Sequence, residues 1–183
     1  MIQSLNFRLG DALPSAVLER WQRELALRPE TERSVQLREK VEDYLDAGYG
    51  SCWLSKSDIA QVVQDSLLHF DSKRYLLLAW CIMPNHVHVL IEERVGFPLA
   101  TVLHGWKSFS AHQANTRLGR TGEFWQREYL DRYVRNAEHY ERAVAYIEGN
   151  PVKAGLAKVR TDWRWSSARF RSPGSAGVSP ASS

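Results

Sequence analysis

Hydrophobic and polar positions follow two different periods along the chain, and together these periods predict an α+β fold. Two-residue alternation predicts strands at residues 3–9, 74–83, 86–93 and 124–134. Three- and four-residue spacing of apolar positions predicts helices that begin near Pro14 and Ser57, and others at 30–47, 98–119 and 137–149. Strands separated by helices, with a hairpin at 74–93, favour an antiparallel sheet covered by helices.

The predicted helix ends depend on a few polar residues and prolines. Ser57 and Asn136 each precede an apolar periodic segment, so both are predicted N-caps. Pro151 is predicted to end or restart the last helix because proline lacks a backbone N–H. Asn150, directly before it, can then be the cap of a short helix that ends at Gly155, or a residue of a functional site.

Composition predicts one folded domain over residues 1–171. The chain has 183 residues, of which 44% are hydrophobic, and the small polar tail 172–183 is predicted to be disordered. Only two cysteines are present, no secretory signal is visible at the amino terminus, and no apolar run approaches 20 residues. The expected location is therefore the cytoplasm, with no membrane partner. Separately, Met1 lies almost directly before the first predicted strand, so a truncated start is one interpretation of this sequence.

The charge is distributed unevenly. The net charge of +3 divides into −4 for residues 1–72 and +7 for residues 73–183. A basic half is typical of a polyanionic partner, although an ordinary solvated surface explains a modest excess equally well.

The stretch CIMPNHVHVLIE carries two histidines two residues apart, His86 and His88. On a strand, both side chains lie on one face of the sheet. The pair is then either a satisfied histidine pair or half of a metal site, and His-x-His alone does not decide between them.

Helix 137–149 provides a second unusual residue. Tyr140, Val144 and Ile147 form its apolar stripe, whereas Tyr146 lies on a more polar face. A phenol with a pKa near 10 is a poor nucleophile until a cation or a base helps to remove its proton.

The blocks MPNHVHVLIE, FWQREYLDRYVR and AYIEGNPVKAGL, taken in this order, resemble the REP-associated tyrosine transposases, a branch of the single-tyrosine HUH transposases. The resemblance extends from about residue 6 to residue 165. It implies a ferredoxin-like antiparallel sheet with the HUH motif on a central strand. It also implies that Tyr146 is the nucleophile and that His86, His88 and Asn150 hold one Mg²⁺ or Mn²⁺ ion.

The resemblance further implies a partner and a reaction. The enzyme would cleave single-stranded DNA at or near palindromic hairpins through a 5′-phosphotyrosine intermediate, either as a monomer or as a homodimer, in association with the nucleoid. The candidate DNA-binding residues are Trp125, Arg127, Arg132, Arg135, Arg142 and Lys153.

Two alternatives stay open. The first is a domesticated protein that binds DNA hairpins without turnover. The second is an unrelated metal hydrolase that uses water as its nucleophile; its only acidic candidate on the histidine face is Glu92.

Overall fold

A computed structural model describes residues 1–171, and the predicted disordered tail lies outside these residues. The strands are β1 (Ile2–Leu9), β2 (Tyr75–Ile82), β3 (His86–Glu93) and β4 (Trp125–Tyr133). The α-helices are α1 (Ser15–Leu25), α2 (Glu30–Asp46), α3 (Ser57–Leu68), α4 (Leu99–Leu118) and α5 (Ala137–Lys153). The predicted strands and helices are all found, with small shifts at their ends.

The four strands form one antiparallel sheet in the order β2-β3-β1-β4. The predicted α+β, ferredoxin-like sheet is confirmed, and β3 with its His-x-His motif lies in the interior of the sheet. Because side chains alternate along a strand, Val87 and Val89 contribute to the large core with α3 and α4. His86 and His88 lie on the opposite face.

Helix α5 packs across this second face. Its residues Tyr140, Val144 and Ile147 form a small core with Leu90 of β3 and Cys81 of β2. The apolar stripe predicted for this helix is therefore confirmed. Packing of the stripe fixes the rotation of α5 about its axis, and this rotation decides which way the neighbouring polar residues point.

Two predicted helix ends are wrong and one is confirmed. Asn136 caps α5, because its side chain accepts a hydrogen bond from the His139 backbone N–H. The N-cap of α3 is Lys56, not Ser57. Helix α5 continues through Pro151 to Lys153, so Asn150 lies inside the helix and caps nothing. Pro151 is tolerated because it removes only one backbone hydrogen bond near the end of the helix.

Candidate active site

The two histidines of β3 point at the same space. Their Nε2 atoms are 2.9 Å apart, and the rings are 0% and 3% exposed for His86 and His88. The Nδ1 atom of His86 lies 2.7 Å from the side-chain oxygen of Asn85. Because an amide oxygen can only accept, His86 carries its proton on Nδ1, and its Nε2 accepts the hydrogen bond from His88 Nε2; a cation that binds both rings would replace that bond.

Burial keeps both rings neutral. Burial lowers the pKa of His88 to about 3. Burial, followed by the repulsion that would arise if both rings were protonated, lowers the pKa of His86 well below its usual range. A neutral imidazole is the form that binds a metal ion. The pair is therefore in the protonation state that a metal site requires at neutral pH.

Helix α5 brings Tyr146 to this pair, and Asn150 follows one helical turn later. The Tyr146 ring lies edge-on to the His88 ring, with ring centroids 5.6 Å apart and planes at 88°. Asn150 is 1% exposed, and its Nδ2 donates to the Tyr146 carbonyl over 3.0 Å. Its Oδ1 is buried and has no hydrogen-bond partner anywhere in residues 1–171. A buried oxygen without a partner is costly, and a bound cation would satisfy it.

Helix α2 adds two carboxylates that the sequence did not indicate. Asp46 Oδ1 lies 3.8 Å from His86 Nε2, and the Glu42 carboxyl lies beside the Tyr146 phenol. The expectation that Glu92 is the only acidic neighbour of the histidines is therefore wrong. Glu92 is four residues from His88 along β3, which is about 13 Å at the rise of a strand.

The Tyr146 hydroxyl does not ionise readily in this environment. Burial, followed by the negative charge of Glu42, raises the pKa of Tyr146 far above its usual value. Burial also raises the pKa values of Glu42 and Asp46. A phenol beside carboxylates stays protonated until a positive charge enters the site.

A cavity of about 410 Å³ opens in front of Tyr146 and His88. Its other lining residues are Ser4, Leu5, Asn6, Arg38, Glu42, Leu130, Arg132, His139, Arg142 and Ala143. Of the predicted DNA-binding residues, Arg132 and Arg142 line this cavity. Arg135 is adjacent, because its backbone N–H donates to His139 Nδ1 over 3.3 Å. A pocket of this size, lined by guanidinium groups, suits a nucleotide and its phosphate.

The other predicted DNA-binding residues lie elsewhere. Trp125 is 4% exposed and its indole N–H donates to Ser110, so it is a core residue and the prediction that it contacts DNA is wrong. Arg127 lies beside a separate cavity with Lys107 and Tyr129. Lys153 borders the site, but its ammonium pairs with Asp43 and Asp46 at 3.2 and 3.0 Å.

The side chains of this site suit a divalent ion only if the Asn150 amide is counted among its ligands. Within residues 1–171, no group of three or more His, Cys, Asp or Glu side chains forms a metal cluster. The two Nε2 atoms and the unpartnered Asn150 Oδ1 are neutral donors that suit a cation with open coordination positions.

Within residues 1–171, no helix is both long and apolar enough to span a membrane.

Comparisons with known proteins agree with this geometry. The family profile described as "Transposase IS200 like" matches residues 53–150. A REP-associated tyrosine transposase from Escherichia coli K12 is 29% identical over 93 residues, covering 48% of this chain and 51% of that protein. A Haemophilus influenzae protein, provisionally assigned the same name, is 27% identical over 100 residues, covering 49% and 57%. The chain thus matches only about half the length of these relatives.

One solved structure shares the fold. It shows a REP-associated tyrosine transposase bound to a REP hairpin, and it superposes with a TM-score of 0.57 at 18% identity, covering 99% of this chain and 93% of that one. The resemblance drawn from the His-x-His and Tyr-x-x-x-Asn-Pro blocks is confirmed. Since the matched profile spans more than half of the chain, this protein belongs to the family of IS200-like transposases.

Proposed function

We propose that this protein is a metal-dependent transposase that cleaves and rejoins single-stranded DNA next to hairpins, with Tyr146 as its nucleophile. One observation carries the proposal. Tyr146 and His88 line one cavity together with Arg132 and Arg142, and Asn150, whose buried Oδ1 has no partner within residues 1–171, is hydrogen-bonded to the Tyr146 carbonyl one helical turn away. A nucleophile, a cation-binding set and phosphate-binding groups are the parts that this reaction needs.

Each residue has a role in the proposed reaction. Arg132 and Arg142 bind the DNA phosphate at the cavity, and the Tyr146 oxygen attacks the phosphorus. The bond from phosphorus to the 3′ oxygen breaks, the 5′ phosphate of the downstream fragment stays joined to Tyr146, and the upstream fragment leaves with a 3′-hydroxyl. Glu42, beside the phenol, is the group that can take the tyrosine proton and pass it to the leaving oxygen.

His86, His88 and Asn150 would hold a Mg²⁺ or Mn²⁺ ion. When bound, that ion supplies positive charge that stabilises the pentacoordinate phosphorus and favours the phenolate. The Asn85 hydrogen bond keeps the His86 lone pair directed into the site, and the apolar stripe of α5 holds Tyr146 against His88. Because a tyrosyl phosphodiester conserves the energy of the broken bond, a 3′-hydroxyl can reverse the step and complete strand transfer.

The proposed substrate is a hairpin with single-stranded flanks; the structural neighbour is bound to a REP hairpin. The test is incubation with such an oligonucleotide and Mn²⁺, followed by a denaturing gel. Parent protein should form a covalent protein–DNA band, Tyr146→Phe should form none, and Tyr133→Phe, an exposed tyrosine of β4, should behave as the parent. Binding without any band would instead favour the domesticated hairpin binder, and cleavage without a band would favour water as the nucleophile.

A further inference from the structure

One face of helix α2 lies against the candidate active site, although α2 precedes the segment that the family profile matches. Arg38, Glu42 and Asp46 follow one another at four-residue spacing, so they share this face. Arg38 and Glu42 line the cavity, and Asp46 is the last residue of the helix. On the adjacent face, Val41 and Leu45 are buried in the main core, which fixes where α2 lies. The amino-terminal region therefore contributes charged groups at the reaction centre.

The Asp46 carboxylate is placed between two positions for positive charge. Its Oδ2 lies 3.0 Å from the Lys153 ammonium, and its Oδ1 lies 3.8 Å from His86 Nε2. The side chain is only 10% exposed. In the described part of the chain neither oxygen accepts a hydrogen bond of good geometry. A carboxylate so far removed from water is stable only with cationic partners, and on the Oδ1 side the nearest group is a neutral histidine.

A second buried oxygen lies on α5, the helix that carries Tyr146. Asn150 Oδ1 comes from α5, is buried, and finds no donor within residues 1–171. Within residues 1–171, buried oxygens without a hydrogen bond of good geometry are thus found on Asp46, beside His86, and on Asn150, next to the turn of α5 that carries Tyr146. Mg²⁺ and Mn²⁺ prefer oxygen ligands and commonly bind with one or two carboxylates and several waters. Two histidines and an amide alone would give the ion no anionic partner.

We propose that Asp46 is an acidic partner of the divalent ion that His86, His88 and Asn150 hold, and that it acts on the ion through one of the ion's waters, since these side chains do not form a closed set of three His and Asp ligands within residues 1–171. This inference rests on the proposed function, since it concerns the same ion. Under this proposal, Asp46 favours binding of the ion and Lys153 opposes it. Its ammonium neutralises part of the Asp46 charge and repels a cation, so removal of Lys153 strengthens the binding of the ion.

This opposition separates the proposal from a purely structural role of the Asp46–Lys153 pair. If Asp46 only anchors α2 to the end of α5, loss of either partner breaks the same ion pair and has the same effect. If Asp46 faces the ion, the two losses act in opposite directions. Asp43 provides a matched control because it also contacts Lys153, at 3.2 Å, but its side chain is 74% exposed.

The experiment is a titration of metal-free protein with Mn²⁺, in which the electron paramagnetic resonance signal reports the unbound ion. No DNA is present, so the readout does not depend on activity. The variants are Asp46→Asn, which has the same shape, Asp46→Glu, Lys153→Met, Asp43→Asn and His88→Ala, each with a thermal melt to verify folding. Asp46→Asn should weaken Mn²⁺ binding by about tenfold or more. Asp46→Glu should weaken it less, Lys153→Met should tighten it, and Asp43→Asn should leave it within about twofold.

The results that overturn the proposal are distinct from those that overturn the proposed function. If His88→Ala loses Mn²⁺ while Asp46→Asn binds as the parent does, Asp46 is no partner of the ion and the proposed function stands. Equal weakening by Asp46→Asn and Lys153→Met also overturns it, because both then act through the lost ion pair. If the parent binds no Mn²⁺, both this inference and the metal dependence of the proposed function are wrong.

Discussion

Acidification should lower the unfolding free energy of the metal-free protein, because its buried histidines bind protons only when the chain unfolds. Burial lowers the pKa of His88 from 6.5 to about 3, so the folded protein keeps this ring neutral where the unfolded chain protonates it. Because the unfolded state then binds more protons, stability is complete above pH 6.5 and is lost progressively as the pH falls toward 3. Between pH 7.5 and pH 5, His88 alone should cost about 2 kcal/mol of unfolding free energy.

Other titrating groups also contribute to the change in unfolding free energy between pH 7.5 and pH 5, so a matched variant is needed to isolate the contribution of His88. His86 acts in the same direction, since its pKa is also lowered. Glu42 and Asp46 act in the opposite direction, because burial raises their pKa values and they gain protons in the folded state first. The parent should therefore be compared with His88→Gln, which keeps the other three groups but lacks the titrating ring.

The assay is urea unfolding with EDTA at pH 7.5 and pH 5. The loss of stability between the two pH values should be smaller in His88→Gln than in the parent by about 2 kcal/mol. His104→Gln, at an exposed site on α4, should lose as much as the parent. If the parent and His88→Gln lose the same free energy, His88 is already protonated in the folded protein. The reasoning from burial would then be refuted.

Three further predictions concern the site and its support. Asn150→Leu should change the unfolding free energy of the metal-free protein by no more than about 1 kcal/mol, because it removes one hydrogen bond and one unpartnered oxygen together. Mn²⁺ should raise the melting temperature of the parent but not that of this variant. Arg171→Met should lower the unfolding free energy by about 3 kcal/mol, because the fully buried Glu148 then keeps only the more distant guanidinium of Arg160, at 4.0 Å. Adding Glu148→Gln should recover part of the loss in a urea melt; no recovery would contradict this. Arg132→Gln should weaken binding of single-stranded DNA and reduce the slope of log K against log salt concentration by about 0.7 in a fluorescence anisotropy titration. Arg127→Gln, away from the cavity, should change neither quantity. Equal effects of the two substitutions would contradict the placement of Arg132 in the DNA-binding cavity.

The parts of the site that the sequence predicted are those held by local periodicity. Two-residue spacing put His86 and His88 on one face of β3, and the helical wheel separated Tyr146 from the apolar stripe of α5. Both relations depend on backbone geometry within one element. The order of the three motif blocks then identified the family, and with it the sheet that joins them.

The errors come from relations between elements. The spacing of Glu42 and Asp46 shows that they share a face of α2, but nothing in the sequence indicates that this face meets β3, which begins 40 residues after Asp46. Trp125 was misplaced because aromatic and basic residues interleave along β4. Alternation puts Trp125 and Arg132 on opposite faces, so only one of these residues can belong to the cavity.

The most direct test of the central claim is to identify the residue that becomes attached to DNA. The protein is incubated with Mn²⁺ and a hairpin oligonucleotide that has single-stranded flanks, and the product is digested with nuclease and trypsin for mass spectrometry. Cleavage after Arg142 and Lys153 releases AVAYIEGNPVK, in which Tyr146 is the only tyrosine, while Tyr140 falls in the preceding peptide. The account predicts a 5′-linked nucleotide on AVAYIEGNPVK and on no other peptide. A nucleotide on the Tyr140 peptide, or DNA cleaved with no modified peptide, would contradict it.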